Sequence, residues 1–185
     1  MGRWEPNARG RLARAALVLS AEHGYESTTV AEIAAAAGVT ERTFYRHFAD
    51  KADALFPDHD ALLVRLADVA RQSAGDGAGA LDAALAAVGD LATLASAEPD
   101  RAALSARVIP TVPVLAGREL VRQRAIVDAV AEALAERGVH AREAHLAAET
   151  ALGVWRVAVA EWVDAPEGRT LPEVLAAAAE AVRAL

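Results

Sequence analysis

The chain of 185 residues has a formal net charge of −7 and is 54% hydrophobic but only 4% aromatic, because alanine dominates its apolar residues. It has no cysteine, which excludes disulfides and thiolate metal sites. No apolar run approaches the roughly 18 residues that span a membrane, and the N-terminus lacks the apolar core of a signal peptide, so we expect a cytoplasmic protein. The abundance of alanine and the lack of sustained period-two alternation predict an all-α fold.

The charge is distributed unevenly along the chain. Residues 1–51 hold seven Lys and Arg against six Asp and Glu, whereas the other 134 residues hold twelve against twenty. Binding nucleic acid requires only a local basic face, so the acidic remainder does not exclude it. Four arginines crowd the start of the first predicted helix, which runs from about Asn7 to His23, and they fit either phosphate contacts or a solvated helix end: Arg3, Arg9, Arg11 and Arg14.

Two short helices joined by a tight turn are predicted next. Thr29 begins a capping-box pattern, and the helix that follows ends at Gly38, a residue able to adopt a positive φ. Thr40 is a good N-cap for another helix, in which Phe44 and Phe48 are four apart and share a buried face. This is the layout of a helix-turn-helix, whose second helix enters the major groove of DNA. An ordinary helical corner with a solvated polar face is the alternative.

The segment GYESTTVAEIAAAAGVTERTFYRHFADKADAL resembles the N-terminal DNA-binding domain of the TetR family of transcriptional regulators, over about residues 9 to 56. The resemblance implies a three-helix helix-turn-helix domain, which we place at residues 1–51. It also implies a C-terminal helical domain for ligand binding and dimerisation, at residues 52–185. The positions that match the family pattern are Gly24, Tyr25, Thr28, Thr29, Val30, Ile33, Ala34, Ala37, Gly38, Val39, Thr43, Phe44, Tyr45, His47, Phe48 and Lys51.

The same resemblance implies roles for ten residues. Thr28 and Thr29 are expected to bind phosphate through hydroxyl and backbone N–H groups at the start of the second helix. Tyr45 and His47 resemble the phosphate-contacting pair of the recognition helix, and Lys51 resembles the cation at the start of the next helix. The positions expected to meet bases and flanking phosphates are Thr40, Glu41, Arg42, Thr43 and Arg46.

Glu41 is the residue that fits this surface least well. An acid at an exposed recognition position repels phosphate. It can, however, accept a hydrogen bond from cytosine N4 or pair with a neighbouring arginine of the protein. We favour the pair within the protein.

The rest of the chain predicts further helices separated by Gly- and Pro-rich breaks. Asp58, His59 and Asp60 are interpreted as a helix start and not as metal ligands, because acids suit the first turn. The predicted breaks are Gly75–Gly79, Pro110, Pro113, Gly138 and Pro166–Gly168. The predicted helices are Asp58–Gln72, Ala80–Ala97, Pro99–Val108, Gly117–Arg137, Arg142–Val163 and Leu171–Ala184.

In regulators of the TetR family the C-terminal region binds inducers, and seven residues are candidates to line such a pocket. They are Val108, Ile109, Val112, Leu115, His145, Glu149 and Trp155, and the alternative for each is an ordinary core position. Their surroundings favour a largely hydrophobic inducer. His145 and Glu149 have a spacing compatible with metal, but no third ligand is evident, so we predict neither a metal nor a cofactor.

The last two helices are predicted to form a homodimer interface. Ala151, Trp155, Ala158 and Trp162 make a stripe of small and large residues, which suits a core as well as an interface, and the resemblance favours the interface. We expect a ligand-responsive repressor that binds a pseudo-palindromic operator. An enzyme is not expected, because no nucleophile and base cluster in the sequence. The alternative is a helical interaction or ligand-binding module that has lost operator binding.

Overall fold

The computed structural model describes residues 7–73, 79–164 and 168–184, which contain nine α-helices and no strand. The predicted all-α fold is confirmed. No single helix in these ranges is long and apolar enough to cross a membrane. The segments Ala80–Ser96 and Pro99–Thr111 reach that length and apolar composition only when they are taken together, and the chain bends by 107° between them. The helices are α1 Ala8–His23, α2 Val30–Ala36, α3 Glu41–His47, α4 His59–Ser73, α5 Ala80–Ser96, α6 Pro99–Val108, α7 Pro113–Glu136, α8 Ala141–Asp164 and α9 Leu171–Arg183.

Two short 3₁₀ turns, Asp53–Leu55 and Ile109–Thr111, interrupt the α-helices. The second contains Pro110, as the predicted break requires. Pro113 does not break a helix but begins α7, because proline is tolerated in a first turn whose N–H groups have no helical partner. Three sequence predictions lie outside the described residues: Arg3, the 75–78 part of the Gly-rich loop, and Pro166.

The Cα positions divide the chain into two compact units. The N-terminal unit ends at Asp58 and also includes Ala103–Gly117, whereas the C-terminal unit comprises His59–Ala102 and the chain from Arg118 onward. The division passes within α6 and α7. The functional boundary between residues 51 and 52 stays a prediction.

The core of the N-terminal unit is built from the apolar faces of α1, α2 and α3. Phe44 is fully buried and Phe48 nearly so, as their spacing predicts. They share one cluster with Leu12, Leu17 and Ile33. These contacts fix which face of α3 points outward.

The core of the C-terminal unit is rich in alanine. Small side chains such as Ala84 of α5 and Ala148 of α8 are buried in one cluster with Leu134, Leu152 and Val174. Alanine at such positions lets helix axes approach closely. Ion pairs at the surface then join neighbouring helices: Arg65 with Asp90, Arg71 with Glu136, and Arg183 with Asp82.

The stripe of α8 that was predicted as a dimer interface points into this core. Ala151 and Ala158 are buried, and Trp155 and Trp162 pack against the same cluster. The interface prediction for this face is therefore wrong. The stripe was real, but alternating small and large residues serve a core and an interface equally well.

Candidate nucleic-acid interface

The turn between α2 and α3 has the geometry that a helix-turn-helix requires. Gly38 has a φ of +68°, a conformation in which a residue with a Cβ is strained. The N–H groups of Gly38 and Val39 donate to the carbonyls of Ala35 and Ala34 at 3.0 and 2.9 Å, which closes the end of α2. Thr40 then caps α3 by accepting a hydrogen bond from the Thr43 N–H at 3.3 Å.

The outward face of α3 carries the predicted polar residues. Glu41, Arg42 and Arg46 are exposed, and the Tyr45 ring is 58% exposed. His47 is half-buried. The half-buried Thr43 places its hydroxyl oxygen 3.1 Å from that of Thr40, so these two threonines bond to each other.

Two cations and one acid on this face stand out. Arg42 has no ion pair or hydrogen bond to any residue that the structure describes, and Arg46 approaches only the His47 ring, at 3.5 Å. Glu41 also has no cation within ion-pair distance among the described residues, so the favoured pairing with an arginine is not found. α3 therefore presents two available guanidinium groups beside one available carboxylate.

His47 adds little positive charge to this face at neutral pH. Burial, together with the nearby Arg46 and Arg9 guanidinium groups, holds the pKa of His47 below its ordinary value of 6.5. The imidazole is consequently neutral at pH 7. The positive charge on the exposed face of α3 comes from its arginines.

Thr28 and Thr29 both form hydrogen bonds within the chain. Thr28 is only 2% exposed and its hydroxyl donates to the Gly24 carbonyl at 2.9 Å. The N–H and hydroxyl groups of Thr29 both donate to the Glu32 carboxylate at 2.8 Å. These hydrogen bonds lower the pKa of Glu32, which occupies the place at the start of α2 where a phosphate was expected. Thr29 is the N-cap of α2, and the predicted phosphate contacts of both threonines stay a prediction.

Lys51 is also turned inward. Its Nζ donates to the carbonyls of Thr28, at 2.8 Å, and of Tyr25, and it lies 4.1 Å from the centre of the Tyr25 ring. These contacts tie the loop before α2 to the segment after α3. The geometry gives Lys51 a structural role, and its predicted contact with phosphate stays a prediction.

Two of the three described arginines of α1 bind carbonyls at helix ends. Arg11 donates to the carbonyl of Ala37, the C-cap of α2, at 3.1 Å. Arg9 donates to the carbonyl of His47, the last residue of α3, at 2.7 Å. Both arginines therefore hold helix ends, where carbonyls lack helical N–H partners. Arg14 alone of the described three is exposed.

The seven predicted ligand-pocket residues are divided between the two compact units, four in the N-terminal unit and three in the C-terminal unit. Four of them, Val108, Ile109, Val112 and Leu115, pack in the core cluster of the N-terminal unit. Trp155 packs in the C-terminal core. His145 lies 3.7 Å from Glu149, whose carboxylate also lies 3.9 Å from Arg124.

A surface groove of about 470 Å³ is found elsewhere on the C-terminal unit, and its lining includes none of these seven residues. His140, Arg142 and Leu146 are part of that lining. Within residues 7–73, 79–164 and 168–184, no three His, Cys, Asp or Glu side chains are arranged to hold a metal ion.

The sequence comparisons concern the N-terminal unit. The family described as bacterial regulatory proteins, tetR family, matches residues 12–56. The HTH-type transcriptional regulator TcmR of Streptomyces glaucescens is 56% identical over 43 residues, which are 23% of this chain and 19% of TcmR. The match thus spans about a fifth of that relative.

The fold comparisons cover nearly the whole chain. FadR of Thermus thermophilus, solved in complex with lauroyl-CoA, is similar with a TM-score of 0.58 and 24% identity over 95% of this chain and 93% of that one. FadR of Bacillus subtilis, solved with stearoyl-CoA, has a TM-score of 0.64 and 19% identity over 92% and 95%. These likenesses establish the fold. With the helix-turn-helix geometry, the family match leads to one conclusion: residues 12–56 carry the helix-turn-helix domain of the bacterial regulatory proteins of the tetR family.

Proposed function

We propose that the protein is a ligand-responsive repressor that binds a pseudo-palindromic operator as a homodimer, with α3 of each subunit in the major groove. The observation that supports this most is the outward face of α3, where Arg42, Tyr45 and Arg46 are exposed behind a rigid, capped turn. In a two-fold dimer the two α3 helices meet successive grooves, about 34–36 Å apart. Such a protein acts on chromosomal DNA in the bacterial cytoplasm.

Sequence is read by Arg42 in this proposal. Its guanidinium makes no ion pair or hydrogen bond with any residue that the structure describes. An arginine recognises guanine by donating two hydrogen bonds, to O6 and N7. Glu41, one position earlier and also unpartnered, accepts from a cytosine N4. Tyr45 and Arg46 contact phosphates and thereby set the register of α3 on the duplex. Phosphate contacts carry no sequence information by themselves.

The homodimer forms through the outward faces of α8 and α9. Leu146 and Val157 are each 60% exposed, and at eleven residues apart they lie on one face of α8. Gly153 lies between them with open space where a Cβ would be. On α9, Ala177 and Ala181 are exposed and, at four residues apart, they share one face of that helix. Exposed apolar residues with small neighbours suit a close helix-to-helix contact between subunits.

The ligand is an apolar small molecule taken up by the C-terminal unit. Support comes from the fold neighbours, two of which were solved with acyl-CoA molecules. A ligand that favours a conformer with a different separation of the two α3 helices lowers operator affinity by its differential binding energy.

Replacing Arg42 with Gln is expected to cost about 1–3 kcal/mol of operator binding, and only at particular base pairs, because one base contact is lost. Replacing Tyr45 with Phe removes a phosphate contact and should weaken binding to operator and scrambled DNA alike. The measurement is a titration of both variants on an operator and on single-base variants of it. Equal losses across all sequences for both proteins would refute the assigned roles.

The alternative function, a helical module that has lost operator binding, is favoured by one observation, the unpartnered carboxylate of Glu41 on the recognition face. The titration separates the two. A module of that kind binds operator and scrambled DNA equally weakly.

A further inference from the structure

Arg9 joins three points of the N-terminal unit. Its Nη1 donates to the His47 carbonyl at 2.7 Å, and its Nε donates to Asp58 Oδ1 at 3.0 Å. Its guanidinium carbon lies 4.6 Å from the centre of the Phe48 ring.

Two of these contacts, with His47 and with Phe48, act where α3 ends. Phe48 is extended, with φ −137° and ψ 139°, so the helix stops at His47. Carbonyls of the last turn have no helical donors, and a cation there also complements the helix dipole. The planar guanidinium satisfies the carbonyl and stacks on Phe48 at the same time, which an ammonium group does less well.

Asp58 keeps the Arg9 side chain in place. It has a φ of +62°, which is uncommon for a residue other than glycine and which Asp tolerates. Its carboxylate holds the Arg9 Nε while Nη1 faces His47. Because the Asp58 side chain is 71% exposed, this ion pair is the weaker part of the arrangement.

We propose that Arg9 is a positioning residue for DNA recognition: it fixes the C-terminal end of α3, and thereby the direction in which Arg42 meets the bases, and it does not contact phosphate. The proposal rests on the proposed reading of DNA by α3. Its Nε and Nη1 both donate to acceptors of the protein, whereas Arg46 on α3 remains available to DNA.

The test compares Arg9→Gln with wild type for operator affinity, scrambled-DNA affinity and the salt dependence of both. A stoichiometric titration first gives the fraction of each protein that is able to bind DNA, and the affinities are calculated for that active fraction. Operator affinity should fall about tenfold, as for loss of a charge-assisted hydrogen bond. Scrambled-DNA affinity should change less than about twofold, because sequence-independent binding depends mainly on phosphate charge. The slope of log K against log salt should not change. Arg14→Gln is the matched control, since it makes the same change on an exposed position of α1, and it should keep the operator preference.

Three results would overturn the role of Arg9. The first is a slope of log K against log salt that becomes less steep by about 0.9 per subunit, together with equal losses of affinity for operator and scrambled DNA. This result identifies a phosphate contact. Unchanged binding means that Arg9 does nothing for recognition. A reduced active fraction with unchanged affinity means that it serves folding alone.

A second variant keeps the test decisive if Arg9→Gln does not fold. Arg9→Lys retains the charge that a phosphate contact needs but lacks the planar pair of donors. Positioning predicts a loss of operator preference in Arg9→Lys, and retention of that preference contradicts it. Wild-type protein without operator preference would instead refute the proposed function itself, so the two failures are distinguishable.

Discussion

Phe44→Ala is expected to lower the free energy of unfolding of the N-terminal unit by about 3–5 kcal/mol, because it empties the centre of a small core. Phe44 is fully buried among residues of α1 and α2, and its ring lies 5.6 Å from that of Phe48. Hydrogen exchange of the α1 to α3 amides measures the change. Operator binding should be lost with the fold.

Tyr45→Ala is the control, because it removes the neighbouring aromatic side chain from the exposed side of α3. Tyr45 is 58% exposed and its ring meets the edge of the Phe44 ring at 5.4 Å between centroids, so the loss should lower stability by no more than about 1.5 kcal/mol. DNA binding should nevertheless weaken. If Tyr45→Ala unfolded the unit while Phe44→Ala left it intact, the assignment of the buried and outward faces of α3 would be wrong.

Val157→Asp is expected to convert the dimer to a monomer and to lower operator affinity by about a hundredfold to ten-thousandfold, through loss of two-site binding. The isolated subunit should tolerate the change because the side chain is 60% exposed. In the dimer each subunit would bring an unpaired carboxylate into an apolar contact. Sedimentation velocity and an operator titration measure the two effects.

Val64→Asp provides the control for this change. Val64 on α4 is 63% exposed, so the same substitution alters charge and exposed area in the same way. It should leave the dimer intact. Dissociation by Val64→Asp but not by Val157→Asp would move the interface away from α8.

The order and limits of the helices were largely predictable because local signals mark them. Thr29 and Thr40 cap α2 and α3 through hydrogen bonds to residues three positions later, and Gly38 supplies the positive φ of the turn. Such signals depend on the nearest neighbours in the sequence, so no tertiary information is needed.

The roles of the cations were not predictable in the same way. Arg9 and Lys51 bind main-chain carbonyls 38 and 23 residues away, and every residue type offers a carbonyl, so the sequence holds no mark of the acceptor. An arginine-rich helix start therefore looked like a phosphate site or a solvated end. The sequence indicates only that the last carbonyls of each helix lack N–H donors within the helix and need donors from elsewhere.

The stripe on α8 and the apolar residues near Pro110 were hard to assign from the sequence for a related reason. Burial in a core and burial at an interface select the same residues, so the Ala151 to Trp162 stripe fitted both. Ile109 and Leu115, close to Pro110, were apolar because they complete the core of the N-terminal unit. The apolar character of these residues does not show whether they line a ligand pocket or pack in a core.

The central claim is that α3 binds operator DNA through exposed cations, and the salt dependence of wild-type binding tests it most directly. Labelled operator and scrambled fragments are titrated over a range of salt concentrations. With Arg46 of both subunits on phosphates, log K for the operator should fall with log salt with a slope of about −1.8 or steeper, and the operator should bind more tightly throughout. A slope near zero, or equal affinity for the two fragments at every salt concentration, would contradict the claim.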